Sequence, residues 1–203
     1  FMYSRAFQLM VKTKNIRICE IVSGAVNRVS EGEVIQLLNI HDTTVDEKRY
    51  FEVIERKTGV LFEAAARMGA TIGGATKEEE EKLTQYALAL GTAFQIIDDV
   101  LDYRGDEEKT GKALGADLRE GKMTMPLIYA LRKCSDEEAK EIKEAVKQGE
   151  GDLNSITRIL EETGAIEECA ITAKQIVSSG IDAISFLKPS LYKESLVKLL
   201  SLT

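Results

Sequence analysis

Between Ala87 and Leu101 the chain reads ALALGTAFQIIDDVL. Wound at ~100° per residue, this stretch is apolar on nearly every side, the signature of a helix enclosed by other helices. An enclosed helix needs neighbours, and the rest of the sequence supplies them. Only Pro126 and Pro189 interrupt the 203 residues, so long helices are unhindered. No segment alternates β-branched and polar residues with period two, so no strand is expected. The expected fold class is all-α, with residues 1–203 forming a single domain.

Helical spacing of apolar residues runs through 1–13 and 15–40, the latter carrying Ile16, Cys19, Ile21, Val22, Val26, Val29, Val34, Leu37 and Leu38. The next helix opens at Thr44 or Asp46, with acidic residues in its first turn, and stops at Gly73 and Gly74. TKEEEEKL starts another with an acidic first turn. Gly105, Gly111, Gly115 and Gly121 break the pattern over 105–122. Shorter helices follow, with Pro126 in a first turn, Ser135 as a cap before DEEAKEIKEAV, and Gly164 and Pro189 as boundaries. The opening FMYSRAFQLM is amphipathic with no capping residue before it, which gives the expectation that these residues continue a longer chain.

Composition removes several function classes. A net charge of −7 and a pI near 5.0 argue against nucleic-acid binding through a basic stripe as the main role. No apolar run reaches the ~18 residues that span a bilayer, and no charged-then-apolar leader is visible. His41 is the single histidine and sits in the polar stretch NIHDTT, a poor setting for a serine-type triad. Cys19, Cys134 and Cys169 are far apart with no CxxC spacing, which suits free thiols in a reducing cytoplasm better than a zinc site.

The chemistry concentrates in the enclosed helix. Asp98 and Asp102 share a face and Asp99 is turned ~100° from them. Like charges at this spacing cost roughly 0.2–0.5 kcal/mol per pair, the helix C-terminus repels them further, and desolvation costs more again. Such a cluster calls for a cation, and hard oxygen donors suit Mg2+ bridging to a phosphate. A solvated face is the bland alternative; Ile96, Ile97, Val100 and Leu101 crowd against it. Lys109, Lys112 and Lys122 lie among the glycines that follow and can meet phosphate oxygens. Lys57 and Thr58 together offer a charge and a hydroxyl, although Lys57 taken alone reads as a surface lysine. Gln95 lies one turn before Asp98 and Asp99, and reads equally as a site residue or as a buried amide bonded to backbone.

GTAFQIIDDVLDY followed by TGKALGADLREGKMTMP resembles the second aspartate-rich region of the trans-isoprenyl diphosphate synthases, with most similarity to the long-chain, octaprenyl-type members. FMYSRAFQLM, SEGEVIQL and VIERKTGVLFEAAARMGA fit the same family in the same order, so the match extends from residue 1 to about 135. The resemblance implies an isoprenoid synthase-type bundle around a deep apolar cavity, of which this chain corresponds to roughly the C-terminal two-thirds. It implies a homodimer that uses Mg2+ to join isopentenyl diphosphate to an allylic diphosphate, giving a long-chain all-trans polyprenyl diphosphate of the kind that supplies quinone side chains. It places Asp98 and Asp99 at the metal, with Asp102 as a further ligand or directly behind the ligands, and Lys57, Thr58, Gln95, Lys112 and Lys122 around the allylic diphosphate. Family members also carry a first aspartate-rich motif upstream, and no second cluster of that type occurs in these residues. The expectation is therefore that the 203-residue chain alone does not turn over. A non-catalytic partner subunit of a heteromeric synthase and a terpene cyclase of the same architecture are the alternative readings.

Overall fold

The computed structural model describes residues 1–104 and 114–201, and among them all regular structure is helical. Lys109 and Lys112 lie outside the described residues. Helix α1 (Met2–Lys12) leads into α2 (Ile16–Asn39), whose first turn is held by the Asn15 side chain accepting from the Arg17 N–H at 3.0 Å. Asp46 caps α3 (Glu47–Ile54) by accepting from the Arg49 N–H at 2.9 Å. α4 (Val60–Gly73) follows and closes at Gly74 in the left-handed conformation. Thr76 and Glu79 exchange backbone and side-chain bonds at the start of α5 (Lys77–Arg104). The short α6 (Ala116–Arg119) and α7 (Met125–Ala130, with Pro126 in its first turn) lead to α8 (Asp136–Gln148), which opens on a Ser135–Glu138 capping box. α9 (Leu153–Glu162), α10 (Ala165–Ala183) and α11 (Leu191–Ser201) complete the set.

α5 is the axis of the molecule, with α10 along one side and α4 along another. Its lower half joins α7, α8, α9 and α10 around Ile96, Tyr103, Met125, Leu127, Ile142, Val146, Ile159 and Leu160. Burying each such aliphatic side chain is worth about 1.5–3 kcal/mol, so this cluster anchors the end of α5 that carries the aspartates. The expectation of a helix enclosed all round is corrected in part: Phe94 is 48% and Leu101 44% exposed. Neighbouring helices cover two sides of α5, while Gln95, Asp98, Leu101 and Asp102 on a third side line a cavity.

The segment expected as one helix from Asp46 to Gly73 is helical throughout, but Glu55–Gly59 forms a single wide π turn. Two glycines explain how it is accommodated. A Cβ on Gly32 of α2 would lie 2.8 Å from the Lys57 backbone nitrogen, and one on Gly91 of α5 would lie 2.9 Å from Gly59 Cα. Both neighbours can thus approach the bulging backbone directly. Gly69 and Gly73, which the sequence offers for close packing, have nothing within 4 Å of the corresponding positions. Cys169 is buried and Cys19 and Cys134 partly so, all free; burial pushes the Cys169 thiol up to about 12, an inert state. Among the described residues no helix is long and apolar enough to cross a membrane.

Candidate active site

The third side of α5, the end of α2, the α3–α4 junction and the segment 114–124 enclose a cavity of about 600 Å³. Apolar residues Ile40, Val45, Val53, Ile54, Leu101 and Met123 make part of its wall, and Lys57, Gln95, Asp98, Asp99, Asp102 and Lys122 lie on the same wall. Six of the eight site residues expected from the sequence therefore converge on one space. Thr58 joins them through Gln95, and Lys112 lies outside the described residues.

Asp99 is the most deeply placed, at 3% exposure. Tyr50 donates its phenol proton to Oδ2 at 2.7 Å, and Gln95 donates from Nε2 to Oδ1 at 2.9 Å. Gln95 in turn accepts from the Thr58 hydroxyl at 3.2 Å, so the π turn is tied to the carboxylate through one amide. Both partners of Asp99 are neutral. Burial, then repulsion from Asp117 and Asp98, push its carboxyl up to about 7, against the pull of the two hydrogen bonds. Asp102 has a different task. Its two oxygens accept from the Ala116 and Asp117 N–H groups, each at 3.0 Å, so it fastens the 114–119 segment to α5. Burial raises this carboxyl too, partly offset by those backbone bonds.

The lysines rest on protein acceptors. Lys57 Nζ donates to Gln36 Oε1 at 2.6 Å and lies 3.4 Å from Glu33. Lys122 Nζ sits 2.9 Å from Asp117 and 2.7 Å from Glu120. Burial alone would lower the Lys122 ammonium, but bonds to Glu120 and Asp117 outweigh it and hold the group firmly charged. Tyr50 and Asp117 also line the cavity and bond to Asp99 and Lys122, and neither is among the residues expected from the sequence. Asp117 ends the GKALGAD motif and was legible there; Tyr50 sits in KRYFEVI with no pattern to single it out.

The carboxylates suit a hard divalent cation in donor chemistry, and burial raises both the Asp99 and the Asp102 carboxyls. They do not form a cage: among the described residues no three His, Cys, Asp or Glu side chains are grouped closely enough to hold an ion. A hard divalent ion held by one or two carboxylates is completed by water and substrate phosphates.

The model of the polyprenyl synthetase family matches residues 1–163. The chain belongs to that family. Octaprenyl diphosphate synthase of Escherichia coli K12 is 41% identical to this polyprenyl synthetase chain over 201 residues, covering 98% of it and 62% of the relative. The all-trans-nonaprenyl-diphosphate synthase (geranyl-diphosphate specific) of Rhodobacter capsulatus is 36% identical, covering 98% and 61%. Among solved structures, a polyprenyl synthase from Caulobacter crescentus CB15 complexed with calcium and isoprenyl diphosphate superposes with a TM-score of 0.93 at 34% identity, covering 98% of this chain and 61% of that one. A decaprenyl diphosphate synthase from Rhodobacter capsulatus gives a TM-score of 0.90 at 34% identity, covering 98% and 62%. The all-α isoprenoid synthase fold is therefore shared, and the chain spans about 62% of the length of the curated relatives it matches.

Proposed function

We propose that these residues form the diphosphate-leaving half of a Mg2+-dependent prenyltransferase. It condenses isopentenyl diphosphate with an allylic diphosphate to a long-chain all-trans polyprenyl diphosphate, a precursor of quinone side chains. The observation that carries this reading is Asp99: a buried carboxylate with two neutral partners, beside Asp98 and Asp117, in a cavity that also holds Lys57 and Lys122.

Asp98 and Asp99 would hold Mg2+, with Asp102 fixing the neighbouring loop. Bound there, the ion would neutralise the charge that develops on a departing diphosphate. Lys57, Thr58 and Lys122, with Lys112 by family resemblance, hold the diphosphate oxygens. The two described lysines exchange Gln36, Glu33, Asp117 and Glu120 for the substrate. Tyr50 and Gln95 keep Asp99 oriented, and the apolar wall excludes water from the cation left when the diphosphate departs. Attack by the isopentenyl double bond forms the new carbon–carbon bond, and the departed diphosphate accepts the proton lost from the resulting cation. His41 is not needed as a base and does not line the cavity.

The same reading takes residues 1–203 as one all-α unit, the assembly as a homodimer and the compartment as the cytoplasm. It also holds that the 203 residues alone do not turn over, since they contain one aspartate-rich motif of this type. The test is condensation of labelled isopentenyl diphosphate with farnesyl diphosphate and Mg2+ by the natural chain carrying these residues and by its Asp98→Ala variant. A linear polyprenyl diphosphate is expected, with turnover at least about 10²-fold lower in the variant. A cyclic hydrocarbon, no product, or equal turnover by the variant would contradict the proposal.

A further inference from the structure

His41, the single histidine, has no part in the proposed reaction, yet it adopts φ 64, and apart from Lys14 the other positive-φ residues among those described are glycines. A histidine held there pays a steric penalty that glycine would avoid, so its side chain must return something. Its backbone N–H donates to the Gly121 carbonyl at 2.8 Å. Its ring Nδ1 lies 2.9 Å from the Val146 carbonyl. A carbonyl can only accept, so Nδ1 carries the proton in this contact. Val146 lies in the last turn of α8, where carbonyls have no partner within the helix, and the imidazole satisfies one of them.

The ring also fills the space beside Gly121. A Cβ on Gly121 would lie 2.3 Å from His41 Nδ1, and one on Gly149, just past α8, 3.5 Å from Cε1. The end of α2, the turn after α6 and the end of α8 therefore meet on one imidazole. The residues on either side are cavity residues: Asn39 and Ile40 precede His41, and Lys122 follows Gly121.

We propose that His41 is a positioning residue for Lys122. It acts through Gly121, fixing the turn from which the Lys122 ammonium reaches the substrate diphosphate. This rests on the reading of Lys122 as a diphosphate ligand. Releasing the ring leaves the Lys122 charge in place but lets its backbone wander, so diphosphate binding weakens only in a protein that has Lys122.

The experiment is a double-mutant cycle in the natural full-length chain, with His41→Gly, which accepts the same backbone conformation, and Lys122→Gln. Binding of inorganic pyrophosphate with Mg2+ is measured by calorimetry, and KM for farnesyl diphosphate and kcat are measured separately, well below each variant's melting temperature. His41→Asn, which also tolerates positive φ but lacks the ring, repeats the test should the glycine variant fail to fold. The expected result is about fivefold weaker pyrophosphate binding and a KM increase exceeding the change in kcat for His41→Gly, both absent in the Lys122→Gln background. An equal loss in both backgrounds, or no loss with Lys122 present, overturns the positioning role alone. If Lys122→Gln by itself leaves pyrophosphate binding unchanged, the reading of Lys122 fails and the role of His41 falls with it.

Discussion

Glu63 on α4 and Asp99 on α5 are both buried carboxylates, 7% and 3% exposed, and the fold treats them in opposite ways. Glu63 lies between Arg28 at 2.7 Å and Arg67 at 3.0 Å. Arg67 continues to Glu80 at 2.9 Å, and Glu80 to Arg17 at 3.0 Å, so α2, α4 and the start of α5 share a closed ionic network. The Arg67 bond holds the Glu80 carboxyl below its usual range, against partial burial. Asp99 receives a phenol and an amide and faces two further carboxylates. Among the described residues, Glu63 is bonded directly to cations, whereas the side chains bonded to Asp99 are neutral. An ion-paired buried carboxylate ties helices together, and a buried carboxylate bonded only to neutral groups keeps a raised carboxyl, which is the contrast the proposed function builds on.

The sharpest way to break this contrast is to remove one carboxylate from each region and compare stability. Glu63→Gln should cost about 2 kcal/mol by denaturant unfolding, below the loss for a wholly buried pair because Arg28 is partly exposed. Asp99→Asn in metal-free protein at pH 8 should instead stabilise by about 1 kcal/mol, since it removes an uncompensated buried charge. A loss of stability like that of Glu63→Gln would erase the distinction.

The pH dependence sharpens it further. Asp99 has its folded value raised to about 7 from a usual carboxylate value of 3.8, so the folded state binds the extra proton. Its contribution to stability is complete below about pH 4 and is lost as pH climbs through 7. Glu80, with its folded value lowered, contributes above its unfolded value and loses that contribution as pH falls through the folded one. Melting curves of metal-free protein should show the Asp99 limb vanish in Asp99→Asn while the acid limb survives. The smallest effect belongs to Tyr50→Phe, which removes one bond favouring the ionised form. It should raise the Asp99 titration midpoint further, with a change in stability of about 0.5 kcal/mol.

Helix edges were legible because they are written locally: Asp46 and Ser135 accept from the first turns they precede, and Gly74 and Gly164 take left-handed conformations at boundaries. The aspartates, Gln95 and Lys122 were legible because polar groups in an apolar helix or among glycines stand out in sequence. The π turn was not, because VIERKTGV reads as ordinary helix and the wide turn depends on how closely Gly32 and Gly91 let two distant helices approach. Tyr50 was hidden for a similar reason: its partner Asp99 is reached only when α3 folds against α5. The bonds from the Ala116 and Asp117 N–H groups to Asp102 were also hidden, because spacing along the sequence does not reveal a contact 14 or 15 residues away.

The central proposal is that Asp98 and Asp99 hold a divalent cation beside a substrate diphosphate. Its most direct test is the titration of the Asp99 carboxyl followed by carbon NMR, in metal-free protein and again with Mg2+ and inorganic pyrophosphate. The account predicts a midpoint near 7 without the ion and one lower by about 2 with it. A midpoint that stays in place when both are added would contradict it.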